Sequence, residues 1–303
     1  MVKIEQAMVL SVLGGKYILY QDGEMAEATL RGRFKQETGK KVCVGDRVTV
    51  HRHEDDGLTI EDVADRTSEL KRRNPGGHRG ERVVAANIDQ VVVVGSTLDP
   101  KWDQNLMDRF VVVAEANHLP VLIVTNKTDL LEDPAAKKTY QAAGYVVLAT
   151  CAKSGAGVSA LKEHLQGKIS LLTGPTGVGK SSLLNAIQPG LKLRTKEVGR
   201  KSRAGKHTTV GAQMHPLNAG GFVVDTPGLR DIGLWGIDAQ DVAAAFPEFS
   251  AYIPNCRFDN CRHLVEPACA VSQAVQDGHI DDRRLNSYRK LLEEALEAQK
   301  FWE

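Results

Sequence analysis

Gly174-Pro175-Thr176-Gly177-Val178-Gly179-Lys180-Ser181-Ser182 decides how the rest of the chain is read. The apolar run Ile169-Ser170-Leu171-Leu172-Thr173 precedes it, and Leu183-Leu184-Asn185-Ala186-Ile187 follows. That order is strand, glycine-rich turn, helix, with the G-x-x-x-x-G-K-[ST] spacing of a P-loop. Glycines let successive backbone N–H groups curl around a phosphate chain, and the positive end of the helix dipole adds to them. Lys180 is placed to reach the β- and γ-phosphates, and the Ser181 hydroxyl to reach Mg²⁺.

A P-loop selects a nucleoside triphosphate without choosing the base. Asn126-Lys127-Thr128-Asp129 follows the apolar strand Leu119-Pro120-Val121-Leu122-Ile123-Val124-Thr125. N-K-x-D at a strand end suits guanine. The Asp129 carboxylate accepts hydrogen bonds from N1–H and the N2 amino group, which adenine lacks. Thr150-Cys151-Ala152-Lys153-Ser154, after the strand Tyr145-Val146-Val147-Leu148, resembles the S-A-K loop that supports guanine, with Cys151 in place of Ser. Asp225-Thr226-Pro227-Gly228 follows Gly221-Phe222-Val223-Val224 and reads as the metal and γ-phosphate motif. Gly205-Lys206-His207-Thr208-Thr209 stands between the P-loop and that motif.

The motifs are complete but permuted: base readers, P-loop, switch threonine, D-x-x-G. With this order and the G-x-H-T-T segment, the chain resembles the ribosome small-subunit-dependent GTPase A family, circularly permuted GTPases of bacterial ribosome assembly. The resemblance runs over nearly the whole chain. It implies binding of the small ribosomal subunit and its rRNA, with GTP hydrolysed to GDP and phosphate during late maturation. Two other classes stay open. One is a GTP-regulated RNA-binding module in which hydrolysis is incidental; the other is a GTPase unrelated to ribosomes.

The chain has 303 residues, 42% hydrophobic, with a formal charge of +1. That length accommodates two or three domains, each with its own core. Near-zero net charge makes any nucleic-acid surface a matter of local clustering. No apolar run approaches the length of a membrane span, and the N-terminus lacks a charged-then-apolar leader pattern. The expectation is a cytoplasmic monomer with no membrane attachment.

Residues 1–68 read as short strands with hairpin punctuation at Gly14-Gly15 and Gln21-Asp22-Gly23. Runs at 6–13, 16–20, 28–34 and 47–50 suggest a small antiparallel barrel, and the resemblance makes it an RNA-binding OB-fold. Lys16, Arg31, Arg33, Lys35, Lys40, Lys41 and Arg47 suit a phosphate backbone, although Glu24, Glu27, Glu37 and Asp46 interleave as on an ordinary solvated face. Residues 69–82, basic and rich in Pro and Gly, read as a linker. Alternating strands and helices over 83–235 give an α/β, doubly wound GTPase domain with nucleotide at the carboxyl ends of its strands. Residues 190–211, with several Lys and Arg, form the switch region.

Ras-like enzymes place a Gln after D-x-x-G to orient the attacking water; here Leu229 stands there. His207, as a neutral imidazole, is the candidate for that role, in line with the family motif, against a purely packing or RNA-binding role. Mg²⁺ is expected on Ser181 and either Thr208 or Thr209, with Asp225 behind those ligands. No arginine finger is evident, so intrinsic turnover should be slow and partner-stimulated.

Residues 236–303 are read as a zinc-binding domain ending in a helix. A helix is expected around 239–246. Cys256, Cys261, His263 and Cys269 follow, in the spacing C-x₄-C-x-H-x₅-C. Three thiolates and one imidazole make a tetrahedral zinc set with no open position, hence a structural Zn²⁺. Only 5 cysteines occur in all, so a disulfide framework is not indicated. Residues 281–296 carry Leu285, Tyr288, Leu291, Leu292, Ala295 and Leu296 on one helical face, expected to pack on the zinc module.

Overall fold

The computed structural model describes residues 3–32, 41–54, 57–73, 81–131, 134–191, 212–226, 234 and 237–300. Strands β1 (Lys3–Leu13), β2 (Lys16–Gln21), β3 (Glu24–Leu30), β4 (Arg47–Arg52) and β5 (Leu58–Val63) pair in the order β1-β2-β3-β5-β4, and β4 returns to β1. The closure makes a barrel and leaves these strands no free edge. Inward residues fill it: Val9, Leu19, Val50 and Ile60 are all buried.

Three details of this barrel depart from the sequence expectation. The third strand spans Glu24–Leu30 rather than 28–34, because Asp22-Gly23 makes a two-residue turn with Asp22 at φ +49° and Gly23 at +94°. One pair, β3 with β5, is parallel. Lys16 and Arg31 face acids, Glu27 at 2.5 Å and Glu61 at 3.4 Å. Arg33, Lys35 and Lys40 lie outside the described residues.

The stretch read as a linker carries strands at both ends. β6 (Glu69–Arg73) pairs antiparallel with β7 (Glu81–Ala86). Leu70 and Ala85 are apolar and buried in the neighbouring core, which holds both ends to it. The barrel is tied in at the same place: Ala86 N donates to Val44 O (2.9 Å), and Asn87 Nδ2 donates to Gly45 O (2.8 Å).

The strand β8 (Gln90–Ser96) is buried along its whole length. A strand buried on both faces must be apolar throughout, which the run Val91-Val92-Val93-Val94 satisfies. Val91 and Val93 enter one layer with Met107, Phe110 and Val111 of α1 (Gln104–Ala116). Beyond α1 the chain continues through β9 (Val121–Asn126), α2 (Pro134–Ala142), β10 (Val146–Ala149), α3 (Val158–Leu165), β11 (Ile169–Thr173) and α4 (Lys180–Ile187). Val92 and Val94 enter the opposite layer with Leu161, Leu165, Leu183 and Leu184. Each fully buried valine of this kind contributes roughly 1.5–3 kcal/mol.

β12 (Gln213–Pro216) and β13 (Phe222–Asp225) complete the sheet in the order β10-β9-β8-β11-β13-β12, parallel except for β12. Ser11 pairs with Gln213, so β12 joins this sheet to the barrel.

The C-terminal module surrounds Phe246, Phe249 and Tyr288. Residues 239–246 are successive turns rather than the expected helix. Ala245 N donates to the carbonyls of both Asp241 and Val242, and Phe246 N donates to Ala243 O. Pro247 disfavours helical geometry at Phe246, whose φ −115°, ψ 86° swings its ring into the core. After α5 (Ala270–Gln276), the final helix α6 runs Asp282–Lys300. Its buried face holds Leu285, Tyr288, Leu291, Leu292 and Ala295 as expected, and adds Arg284.

Candidate nucleotide site and metal cluster

Three loops meet at the carboxyl ends of β9, β10 and β11. The P-loop turns through Gly174 at φ +131° and Gly179 at φ +95°. Both lack room for a side chain. A Cβ would lie 2.0 Å from Val94 O at Gly174 and 2.4 Å from Asn126 Nδ2 at Gly179. Gly179 caps α4, so the free N–H groups of its first turn face the loop. Lys180 Nζ donates to the carbonyls of Gly174 (2.6 Å) and Pro175 (2.7 Å).

Asn126 joins the loops. Its Nδ2 donates to Val178 O at 2.8 Å, and its Oδ1 accepts from Ala152 N at 3.2 Å and Thr150 Oγ1 at 3.3 Å. The side chain is buried with both ends satisfied, so it sets the spacing between the N-K-x-D loop and the P-loop. Thr128 Oγ1 donates to Thr150 O at 3.1 Å. Cys151 Sγ donates to Asp129 Oδ1 at 3.1 Å. A pocket of about 340 Å³ opens between these loops, lined by Asn126, Lys127, Asp129, Cys151, Ala152 and Lys153, with Gly179 and Ser182 on the P-loop side. Leu130 adds an apolar wall to it.

In the C-terminal module, Cys256, Cys261, His263 and Cys269 bring their ligand atoms within 4.8 Å of one another. His263 Nδ1 is 3.6 Å from Cys256 Sγ and 3.3 Å from Cys269 Sγ. Tetrahedral zinc with bonds of ~2.3 Å to sulfur and ~2.0 Å to nitrogen sets such edges at roughly 3.6 Å, so the cluster fits the ion. Burial lowers the His263 pKa and keeps its imidazole neutral, the ligating form. The loop is shaped by Glu266, whose carboxylate accepts from the N–H groups of Arg262 (3.0 Å), Leu264 (2.8 Å) and Val265 (3.1 Å). His263 sits at φ +56° in that turn. Tyr288 and Arg289 of α6 donate to the carbonyls of Arg262 (2.8 Å) and Leu264 (2.9 Å), locking the cluster to the helix.

A protein-family model described as RsgA GTPase matches residues 63–235. This chain belongs to the RsgA GTPase family. It is 47% identical to the small ribosomal subunit biogenesis GTPase RsgA of Gemmatimonas aurantiaca, over 95% of this chain and 97% of that one. The RsgA of Thermotoga petrophila is 39% identical over 92% of each chain. Among solved structures, YjeQ from Thermotoga maritima superposes with a TM-score of 0.79 at 35% identity, covering 97% of this chain and 99% of that one. YloQ, described as a circularly permuted GTPase, gives a TM-score of 0.75 at 29% identity, covering 98% and 96%. The family and permuted fold expected from the motif order are thus both found.

For this RsgA-family chain, the fold gathers the N-K-x-D residues, the Cys151 loop and the P-loop into one place. Asp225 ends β13, paired with Leu172 beside the P-loop strand. His207, Thr208, Thr209 and Gly228 lie outside the described residues. Sequence reading missed Leu130, which carries no motif letter of its own. It also missed the chain between β8 and α1, where the Thr97 N–H donates to Asn126 and the Thr97 hydroxyl and Asp99 carbonyl hold Lys127.

Proposed function

We propose that this chain is a guanine-specific GTPase that binds the small ribosomal subunit and hydrolyses GTP to GDP and phosphate during late maturation of that subunit. The observation that carries the reading is the Asn126 bridge. One buried amide fixes the Asp129 loop against the P-loop, so base and phosphates are read by one rigid frame. The relatives named for small-subunit biogenesis supply the partner. The subunit's rRNA is to meet the basic side chains of the barrel and the switch region. The protein acts as a monomer in the cytoplasm, where these particles are built; no described helix is long and apolar enough to cross a membrane.

In this reading Asn126, Lys127, Thr128 and Asp129 hold the base, supported by Cys151, Ala152 and Lys153. Gly174, Pro175, Thr176, Gly177, Val178, Gly179, Lys180, Ser181 and Ser182 wrap the phosphates. Ser181 with Thr208 or Thr209 would hold Mg²⁺, with Asp225 behind those ligands, and Gly228 belongs with the nucleotide-binding residues. When bound, the metal neutralises charge developing on the phosphate oxygens. His207 orients the attacking water, a task Leu229 is chemically unable to perform. His207→Ala is expected to reduce turnover about 10²-fold while leaving GTP affinity nearly unchanged, the effect of misplacing one reactant. Single-turnover kinetics separate the two quantities, and a weakened Kd with normal chemistry would remove His207 from the mechanism.

One structural Zn²⁺ is assigned to Cys256, Cys261, His263 and Cys269. Chelation under reducing conditions is expected to release one zinc per chain. It should also abolish the near-ultraviolet dichroism of the Phe246, Phe249 and Tyr288 cluster, because metal binding is folding energy for a module this small. Retention of that signal in metal-free protein would make the ion dispensable.

The whole reading is tested by GTP turnover with and without purified small subunits, using ATP as control. Strong stimulation confined to GTP is expected. Turnover indifferent to the subunits removes the ribosomal partner and leaves the GTPase; equal hydrolysis of ATP removes guanine specificity.

A further inference from the structure

Ser96-Thr97-Leu98-Asp99-Pro100-Lys101-Trp102 leads from the end of β8 toward α1, and no nucleotide motif falls on it. It nonetheless bonds to the N-K-x-D loop and lies beside the P-loop. Thr97 N donates to Asn126 O at 3.3 Å, and Thr97 Oγ1 donates to Lys127 O at 3.2 Å. The Lys127 ammonium donates to the Asp99 carbonyl. On the phosphate side, a Cβ built on Gly177 would come within 3.5 Å of Pro100 Cδ. Ser96 Oγ donates to Pro100 O at 2.6 Å and draws the loop in on itself.

Trp102 anchors the far end. Its ring fills the space beside Gly95, where a Cβ would lie 2.4 Å from the indole. Its Nε1 donates to Gln104 Oε1 at 3.3 Å, and its ring meets Tyr140 edge-on at 5.9 Å. Gln104 Nε2 donates to both oxygens of Asp108 at 3.0 Å, and Tyr140 OH donates to the same carboxylate at 2.6 Å. Asp108 in turn holds Arg284 of α6. A continuous run of packed and hydrogen-bonded groups therefore joins the C-terminal module to the loop that grips Lys127.

We propose that residues 96–102 are a positioning element of the guanine site, clamped by Trp102 onto the Arg284 cluster, so that docking of the C-terminal module sets guanine-nucleotide affinity. This rests on the guanine-binding reading above. A base reader carried on loops is accurate only when a supporting layer fixes it. Trp102 meets Gly95, Gln104 and Tyr140, none of them assigned to the nucleotide, and acts through the loop as a positioning residue.

The test is equilibrium binding of a fluorescent GDP analogue to the full chain, with folding checked by thermal melts. Trp102→Ala is expected to weaken GDP about 10-fold, as loosening a positioned group does, with kcat at saturating GTP within about 2-fold of wild type. Trp102→Phe, which keeps an aromatic plug, should recover most of the affinity. Tyr140→Phe removes two hydrogen bonds on the module side, the one donated to Asp108 and the one accepted from Gln104 Nε2, and Thr97→Val removes one on the nucleotide side. Each is expected to weaken GDP about 3-fold: Thr97→Val by the worth of one net hydrogen bond, and Tyr140→Phe by a similar amount because Gln104 keeps its own bonds to Asp108. Folded Trp102→Ala with wild-type GDP affinity overturns the proposal, as does unchanged affinity in Tyr140→Phe. Should Trp102→Ala fail to fold, the Tyr140→Phe and Thr97→Val pair decides alone. A wild-type chain that binds no GDP would instead sink the guanine reading.

Discussion

Asp129→Asn is expected to reduce GTP affinity about 10³-fold and to create affinity for xanthine nucleotides. A site built around hydrogen bonds to one base rejects a mismatched partner by such factors, because buried polar groups are left unpaired. The carboxylate accepts from both guanine donors. An amide keeps one acceptor but turns its NH₂ toward the guanine amino group, donor against donor. Xanthine carries a carbonyl at that position and restores the pairing. Cys151 Sγ, 3.1 Å from Asp129 Oδ1, still finds an acceptor in the amide oxygen, so the loop itself has no reason to move. Competition binding with GTP, XTP and ATP reads the outcome. Undiminished GTP affinity would mean that the base is recognised elsewhere.

Arg284→Ala is expected to destabilise the docking of the C-terminal module by about 3–5 kcal/mol, the range for stripping one partner from a buried charge cluster. The Arg284 side chain is 1% exposed. It donates to Asp108, and to Glu248 at 2.6 and 3.2 Å. Its guanidinium also lies over Phe246, Tyr140 and Tyr145, at 4.5, 5.4 and 5.8 Å. Alanine leaves two carboxylates facing each other in a water-poor interface, beside a Tyr140 phenol that burial and Asp108 hold protonated. Denaturant unfolding followed by the module's aromatic signals measures the loss. Adding Asp108→Asn and Glu248→Gln to the same chain should restore part of it, since neutral amides tolerate burial without a cation. No recovery would place the damage in lost packing instead.

Elements with strong local rules were legible in the sequence. β11 occupies the residues expected, because its apolar run and the P-loop punctuation fix its ends. The Cys and His side chains proposed to hold zinc gathered as their spacing implied, since all four lie within one short stretch. Long-range pairings carry no local mark. Nothing near Gln213 announces a partner at Ser11, and the parallel β3–β5 pair joins strands far apart in sequence. The turns at 239–246 read as helical because apolar spacing alone cannot register what Pro247 does one residue later. Arg284 was hidden for a related reason. A charged residue on a helix is ordinarily solvated, and only the fold brings Asp108 and Glu248 to it.

The permuted order has a mechanical consequence. The chain enters the GTPase sheet from the barrel on β8 and leaves it toward the C-terminal module after β13. These two strands are the immediate neighbours of β11, one on each side. The barrel and the module are therefore jaws whose chain connections flank the strand that ends in the P-loop. Arg284 fastens one jaw to α1, and Gly45 and Asn87 fasten the other beside β7. A load applied to either jaw reaches β11 through the strand hydrogen-bonded to it, so both jaws act on the same phosphate loop.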